Sequence, residues 1–291
     1  MEPVRGPLRT VKLLMLWAAA GILLGAVTAS VSPGVVMQSA AFLADARPVA
    51  QDSAIPAEPP APTRTGLNDG LSQIRTEHHQ FGCYIQKPTT EGTFPGLVVI
   101  HDAMGLTNEF KSVVDKFVAE GFAVYAPDLY KGRIALDADK GREMSVLLDE
   151  EEAISLLQEL VARVKFATEV GDHRVGVVGF GTGGRLALLT GVGCTDLSSV
   201  VVAYGRPIDD AATLRRIPCP ILGLYGDRDE IIPVATVEKM RGALAAAART
   251  YEVAIYKDAG QGFMNHTDHR YAPEPAKEAW GKMVGFLKGN L

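Results

Sequence analysis

From residue 76 onward, the chain alternates short apolar runs with longer stretches in which apolar residues recur every three or four positions. The short runs predict strands and the longer stretches predict helices, because the two structures repeat their side chains at different periods. This alternation predicts an α/β domain with a mostly parallel central sheet and helices on both faces. The predicted strands cover residues 79–85, 96–101, 122–126, 175–180, 199–204, 221–225 and 251–256.

Two of the predicted helices are well defined by the pattern. An apolar stripe runs along residues 154–164, and the acidic residues 150–152 lie at its N-terminal end, where the helix dipole favours negative charge. We expect this stripe to pack on the sheet. Residues 273–287 predict a last helix that covers one sheet face.

The N-terminus has a different pattern. Three basic residues precede an uncharged stretch at residues 13–44, and its most apolar part, residues 13–31, is long enough to cross a bilayer, which takes about 20 residues. Two small-x-small sites, at 27–29 and 44–46, would suit a signal peptidase. Residues 1–46 therefore predict a transmembrane or signal helix, with the membrane as a partner. The rest would lie on the exported, periplasmic side, either anchored or secreted after cleavage.

Residues 47–75 are rich in Pro and Ala and poor in large apolar residues, which predicts a tether, so the folded domain is expected at 76–291. The net charge of -5 argues against a nucleic-acid partner. The three cysteines are widely spaced and form no Cys-x-x-Cys pair, so we expect them to be small buried side chains. One disulfide between two of them is the alternative. No cofactor is indicated, and the histidine spacing at His266 and His269 is too weak to predict a metal site.

The segment GFGTGG at 179–184 lies between a predicted strand and a predicted helix. A turn of this kind can present a nucleophile at its third position, but Gly181 has no side chain with which to attack. The same glycines also fit the dinucleotide-binding spacing Gly-x-Gly-x-x-Gly. That interpretation predicts an acidic residue at the end of the next strand, where residues 204–207 have none, so a dinucleotide-binding oxidoreductase is a lesser alternative.

Five motifs in this order resemble the dienelactone hydrolases, a family with the α/β-hydrolase fold, over nearly all of residues 76–291. They are VVIHDAMGL at 98–106, GFAVYAPDLY at 121–130, the glycine-rich turn at 179–184, GDRDEIIP at 226–233 and AGQGF at 259–263. The resemblance implies a catalytic cysteine, aspartate and histidine at the positions of Gly181, Asp229 and Gln261. Only Asp229 matches. The same resemblance places Asp102, Ala103, Met104 and Thr182 in the pocket or its oxyanion hole, with Asp102 where the family has a glutamate.

These replacements remove both the attacking atom and the base, because a glutamine amide takes up no proton near neutral pH. We therefore expect a catalytically inactive domain that acts as a binding or scaffold subunit of a larger membrane assembly. A small carbonyl compound or anion would bind beside Gly181, and Asp229 would bond backbone amides. The alternative is an active hydrolase of small esters or lactones that uses an unconventional nucleophile or an activated water.

Overall fold

The computed structural model describes residues 70–291. The predicted signal or anchor segment, residues 1–46, and most of the predicted tether lie outside the described residues. Among the residues described, no helix has both the length and the apolar character needed to span a membrane.

Residues 70–291 form eight strands and seven helices. The strands are β1 (Leu71–Arg75), β2 (Gln80–Gln86), β3 (Phe94–Ile100), β4 (Ala123–Pro127), β5 (Val170–Phe180), β6 (Leu197–Ala203), β7 (Ile221–Gly226) and β8 (Tyr251–Tyr256). The helices are α1 (Asn108–Ala119), α2 (Ala138–Leu147), α3 (Glu150–Lys165), α4 (Thr182–Gly191), α5 (Ala211–Arg215), α6 (Val234–Ala246) and α7 (Pro273–Asn290).

The strands form one mixed sheet in the order β1-β2-β4-β3-β5-β6-β7-β8. β1 and β2 are antiparallel to their neighbours, whereas the strands from β4 to β8 are parallel. The carboxyl ends of the parallel strands therefore meet at one edge of the sheet. Loops that follow β3, β5, β6, β7 and β8 all begin there, and this edge is where open α/β sheets bind their ligands.

Apolar side chains fill the space on both faces of the sheet. One cluster joins the sheet to α3, α4 and α6 and includes Leu157 and Leu188, while the other joins it to α1 and α7 and includes Phe117 and Leu287. Each such side chain, once fully buried, stabilises the fold by about 1.5–3 kcal/mol. The central strands are apolar on both sides for the same reason, as β4 shows by being buried along its whole length.

Side-chain caps fix where several helices begin. Thr107 accepts the Phe110 N–H at 3.1 Å before α1, and Asp149 accepts the Glu152 N–H at 3.0 Å before α3. The cap satisfies a backbone donor that has no partner within the helix. Asp137 caps α2 in the same way.

The structure confirms an α/β-hydrolase-like sheet with helices, and the predicted strands lie within a few residues of β2 to β8. β1 was not predicted. It begins at Leu71, within the segment assigned to the tether, and Ile74 is its one buried residue, so its apolar signal is weak. The three cysteines are buried free thiols, as the sequence led us to expect, and no disulfide links them. They are Cys83, Cys194 and Cys219.

Candidate active site

Gly181 lies at the sharp turn between β5 and α4, with φ 53° and ψ -116°. A positive φ favours glycine, and a residue with a side chain would pay about 1–3 kcal/mol for such a backbone conformation. Two hydrogen bonds hold the turn: the Gly181 N–H donates to the Ala203 carbonyl at 2.9 Å, and the Gly184 N–H donates to the Gly181 carbonyl at 3.0 Å. The backbone of a nucleophile elbow is therefore present.

The other glycines of this turn allow α4 to pack tightly against the ends of the neighbouring strands. A Cβ on Gly179 would overlap the Gly183 carbonyl, and a Cβ on Gly184 would lie 2.9 Å from the Gly205 Cα. A Cβ on Gly183 would overlap the carbonyls that end β3 and begin its loop. The spacing of these glycines is thus explained by packing between the helix and the strands, without a bound dinucleotide.

A small space, which we call the niche, lies where the side chain of residue 181 would be. A Cβ on Gly181 would meet the Asp102 Cβ at 3.5 Å and the Gln261 Nε2 at 3.9 Å, which are ordinary van der Waals distances. The structure thus brings together three residues that the sequence had placed far apart, on the loops after β3, β5 and β8. The niche has room for a small group beside the Asp102 Cβ and the Gln261 amide nitrogen.

Asp102, whose Cβ borders the niche, is the acidic residue of this loop. Its Oδ1 accepts the Met104 N–H at 2.9 Å, and the residue is partly exposed. Burial raises the pKa of Asp102 above its ordinary value of 3.8, although the Met104 N–H and nearby positive charge oppose the rise. A carboxylate with a raised pKa is a better proton acceptor near neutral pH than an ordinary one. Ala103, also predicted for the pocket, lies between these two residues and is partly exposed.

The preceding residue, His101, is buried and fixes the start of this loop. The Leu129 N–H donates to its Nε2 at 3.3 Å, so its Nδ1 carries the proton and donates to the Asp102 carbonyl at 2.8 Å. Burial lowers the pKa of His101, which keeps the ring neutral. His101 therefore orients the backbone of Asp102 and has no free nitrogen to act as a base.

Asp229 lies on the loop after β7 and bonds backbone amides, as the sequence predicted. Its Oδ1 accepts the N–H groups of Ile231 and Ile232, both at 2.8 Å. Its Oδ2 is buried and has no hydrogen-bond partner within residues 70–291. Burial raises the pKa of Asp229, against the opposing effect of these two N–H groups.

Gln261 lies on the loop after β8, and its amide is oriented by one hydrogen bond. The Nε2 group donates to the Tyr204 carbonyl at 3.1 Å, whereas Oε1 is buried and has no partner in the described part of the chain. A buried acceptor without a donor costs about 1–3 kcal/mol. The Gln261 atom that borders the niche is Nε2.

Thr182 directs its hydroxyl toward α2. Its Oγ1 lies 3.0 Å from the Ser145 Oγ, which in turn lies 3.2 Å from the Tyr130 hydroxyl and donates to the Gly141 carbonyl at 2.8 Å. The N–H of Thr182, at the first position of α4, has no acceptor within the helix. The hydroxyl of Thr182 is thus engaged by α2, and its backbone N–H is the group left at the start of α4.

The sequence did not indicate an ion pair that lies close to the loop of Gln261. Arg270 binds both oxygens of Asp268, with Nε to Oδ1 at 2.9 Å and Nη2 to Oδ2 at 2.5 Å. A Cβ on Gly262 would lie 3.5 Å from the Asp268 Oδ2 and 3.7 Å from the Arg270 Nη2. The positive charge of Arg270 also opposes the rise in the pKa of Asp102 and Asp229 that burial causes.

The histidines of the same loop are exposed. His269 lies 3.2 Å from Asp268, and His266 is also on the surface. The residues described contain no group of three His, Cys, Asp or Glu side chains placed to hold a metal ion.

Known proteins resemble this domain in sequence and in fold. The family model for the dienelactone hydrolase family matches residues 81–291. The chain belongs to that family. A protein of Methylorubrum extorquens named "Putative carboxymethylenebutenolidase" is 30% identical over 266 residues, which cover 85% of this chain and 88% of the relative. A protein of the same name in Escherichia coli K12 is 29% identical over 238 residues, covering 75% of this chain and 86% of the relative.

Solved structures have the same fold at lower identity. The dienelactone hydrolase-like promiscuous phosphotriesterase P91, from metagenomic libraries, superposes with a TM-score of 0.67 at 19% identity and covers 76% of this chain and 97% of its own. An esterase of Thermogutta terrifontis, solved with butyrate bound, superposes with a TM-score of 0.55 at 14% identity and covers 76% of this chain and 95% of its own.

These relatives correct the prediction of an inactive scaffold subunit, which was wrong. The family and the named relatives are hydrolases, so the hydrolase alternative is better supported than a domain without chemistry. The prediction treated the lost cysteine and histidine as a loss of all chemistry, although the backbone of the elbow is still in place. The family match also overturns the dinucleotide-binding alternative.

Proposed function

We propose that the domain hydrolyses small carboxylic esters or lactones, and that a water bound in the niche beside Gly181 is the attacking group. The observation that carries the proposal is the open elbow, where a side chain would meet Asp102 at 3.5 Å and Gln261 at 3.9 Å. Absence of a side chain leaves space of the order of one water, next to two residues that carry polar side chains.

In the proposed reaction, Asp102 is the general base. Its carboxylate removes a proton from the water as the water oxygen forms a bond to the acyl carbon. The Nε2 of Gln261, which lies beside the niche, would donate its second N–H to the water oxygen and so hold the water in place. No covalent acyl-enzyme is formed.

The oxyanion that develops would lie near the start of α4. There the Thr182 N–H points out of the helix and the helix dipole favours negative charge. Collapse of the tetrahedral intermediate breaks the bond to the alcohol oxygen, which takes the proton from Asp102. Ester and water are thereby converted to acid and alcohol, and Asp102 returns to its ionised form. Asp229 contributes by holding the loop after β7 in place.

The test is hydrolysis of 4-nitrophenyl acetate and of an unsubstituted five-membered lactone by residues 66–291. We expect saturable turnover, and no acyl adduct by mass spectrometry when the reaction is quenched in the steady state. An adduct of acyl mass on any side chain would contradict the water mechanism, and turnover no faster than buffer would contradict the function itself.

We also propose that residues 1–46 carry the domain out of the cytoplasm, as an anchor or as a cleaved signal. The support is the basic flank followed by the apolar residues 13–31. Fractionation of cells that express the full chain tests this, with the N-terminal residue of the recovered protein identified. Recovery of the uncleaved chain from the cytosol alone would contradict it.

A further inference from the structure

We propose that Asp229 is a protonated positioning residue, whose carboxylic O–H donates to the buried Oε1 of Gln261 and so fixes how the Gln261 amide faces the niche. The effect of this proton on the rate rests on the proposed function, because the Nε2 of the same amide borders the niche. Asp229 acts through Gln261 and does not touch the substrate.

Two buried side-chain oxygens at this edge of the sheet have no hydrogen-bond donor within residues 70–291. They are the Oδ2 of Asp229 and the Oε1 of Gln261. A buried acceptor without a donor costs about 1–3 kcal/mol, so the two together destabilise the fold unless a donor lies between them. A single proton on Asp229 removes both losses, because it makes Oδ2 a donor for Oε1.

The side chain of Gln261 crosses the end of the strand that precedes Asp229. Gln261 lies on the loop after β8, yet its Nε2 donates at 3.1 Å to the carbonyl of Tyr204, which follows β6. The strands lie in the order β6-β7-β8, about 4.8 Å from one to the next, so the amide passes over the end of β7. The loop that carries Asp229 begins there.

Backbone contacts hold the loops after β7 and β8 against each other. The Arg228 N–H donates to the Ala259 carbonyl at 2.9 Å, and a Cβ on Gly260 would lie 3.7 Å from the Arg228 carbonyl oxygen. Asp229 and Gln261 are each the next residue in the chain after this contact. The two side chains with an unpartnered oxygen therefore start from adjoining points of the two loops.

The hydrogen bonds that are present assign the roles of the remaining atoms. The Tyr204 carbonyl can only accept, so it selects the Nε2 of Gln261 and leaves Oε1 as the acceptor that still needs a donor. The Oδ1 of Asp229 accepts the N–H groups of Ile231 and Ile232, both at 2.8 Å. A carboxylic acid accepts through one oxygen and donates through the other, so Oδ2 is the oxygen that carries the proton.

The charged groups near Asp229 do not remove this proton. Arg270 opposes it with a positive charge, but Asp268 already binds that guanidinium, and Arg228 pairs with Asp258 at the surface. Burial outweighs these effects and raises the pKa of Asp229 above 3.8. The other titratable side chains beside this loop are the buried Tyr225 and the exposed Asp227 and Glu230.

The proton also affects the amide on the side of the niche. When an amide oxygen accepts a hydrogen bond, the amide is polarised and its N–H groups become stronger donors. The Nε2 of Gln261 lies 3.9 Å from a Cβ placed on Gly181. Asp229 thus determines how firmly Gln261 holds a small group in the niche.

The proton itself is tested without any substrate, by NMR of the protein labelled in its side-chain carboxyl and amide groups. We expect the Asp229 carboxyl carbon to titrate with a midpoint above 3.8, and the Nε2 signals of Gln261 to move with the same midpoint. Asp210 is the internal control, because it caps α5 at the surface and hydrogen bonds from Thr213 lower its pKa. Its midpoint should lie below 3.8.

Two variants make the titration specific. In Asp229→Asn the pH-dependent movement of the Gln261 signals should disappear, because no proton is left to titrate. Gln261→His places an N–H donor opposite Oδ2 in place of an acceptor, and a donor favours the ionised carboxylate. We expect the midpoint of Asp229 in this variant to fall to the ordinary value of 3.8 or below it.

The effect on rate is measured with 4-nitrophenyl acetate. Asp229→Asn places an N–H donor where the O–H stands, whereas Asp229→Ala removes the donor, so we expect kcat/KM of the Asn variant to exceed that of the Ala variant by about tenfold. Asp210→Ala is the matched control, because Asp210 also accepts two backbone N–H groups, those of Ala212 and Thr213. It should leave kcat/KM unchanged.

A midpoint of Asp229 at or below 3.8 would overturn the proposal, and so would Gln261 signals that follow pH equally in Asp229→Asn. Equal kcat/KM in Asp229→Asn and Asp229→Ala would also overturn the positioning role. If the unaltered protein hydrolyses no ester, the proposed function fails, and the NMR midpoints still decide whether Asp229 holds a proton for Gln261. Thermal melting verifies that each variant is folded.

Discussion

At the scale of single residues, Asp229 shows how one side chain stabilises a loop. Its Oδ1 holds the N–H groups of Ile231 and Ile232. Asp229→Ala leaves both donors without this acceptor, so we expect a loss of about 1–3 kcal/mol in the free energy of unfolding. Asp229→Asn keeps an oxygen in place. Urea unfolding at pH 7 measures the free energy of unfolding of both variants. Equal losses in the two would contradict the role of Asp229 as an acceptor for these N–H groups.

The sign of the pKa shift adds to this prediction. Burial raises the pKa of Asp229, so its protonated form is favoured in the folded state. Its contribution to stability is present below the unfolded pKa and is lost as pH rises through the folded pKa. An asparagine cannot ionise, so we expect Asp229→Asn to be at least as stable as the unaltered domain at pH 7, with the difference vanishing at pH 3.

The raised pKa of Asp102 should also affect how the rate of hydrolysis depends on pH. Because burial raises its pKa above 3.8, the proposed base should become active only at a pH above the range of an ordinary carboxyl. We expect kcat/KM for a neutral ester to rise with pH along an acid limb whose midpoint lies above the ordinary pKa of an aspartate. A profile measured from pH 3.5 to 8 checks this. A flat profile, or a midpoint below the ordinary value, would contradict it.

The sequence located some of these residues and missed others for a physical reason. Gly181, Asp229 and Gln261 stand inside short motifs that follow strands, so the parallel sheet alone brings their loops to one edge. Arg270 pairs with Asp268 across two residues of an irregular loop, and Ser145 reaches Thr182 from a different helix. Contacts of these kinds depend on loop conformation and helix packing, which periodicity does not encode.

At the scale of elements, the turn between β5 and α4 should tolerate no side chain at Gly179. A Cβ there would overlap the Gly183 carbonyl, so Gly179→Ala must push α4 away from the strand. We expect a loss of about 3 kcal/mol or more in the free energy of unfolding. Gly242→Ala is the control, because Gly242 lies within α6 and has nothing within 4 Å of its added Cβ.

The control substitution should increase the free energy of unfolding, whereas Gly179→Ala should decrease it. Alanine in the interior of an exposed helix is favoured over glycine by roughly 0.5–1 kcal/mol, so Gly242→Ala should be slightly more stable than the unaltered domain. Chemical denaturation of both variants gives the comparison. A Gly179→Ala domain as stable as the original would contradict the close packing of the elbow.

The strands show how far hydrophobic periodicity predicts elements. Those with several buried residues, such as β4 and β7, were found from their apolar runs. β1 was missed because one buried residue in five makes no pattern. The start of β5 at Val170 was missed because residues 171–174, which read GDHR, separate Val170 from the apolar run that begins at Val175.

At the scale of the whole molecule, residues 66–291 should form a complete folding unit. They contain all eight strands described and the full family match at 81–291. We expect this piece to unfold in a single cooperative transition and to retain the turnover of the full chain within about twofold. Calorimetry and kinetics on both proteins check this. A truncated piece that melts without cooperativity would place essential contacts in residues 1–65.

The most direct test of the account is the rate of ester hydrolysis by Asp102→Asn against the unaltered residues 66–291. Asparagine keeps an oxygen that can accept the Met104 N–H but cannot take a proton from water. We expect kcat/KM for 4-nitrophenyl acetate to fall by about 10²–10⁴, while the melting temperature changes little and the acid limb of the pH profile disappears. Undiminished turnover in Asp102→Asn would contradict the proposed base and the water mechanism built on it.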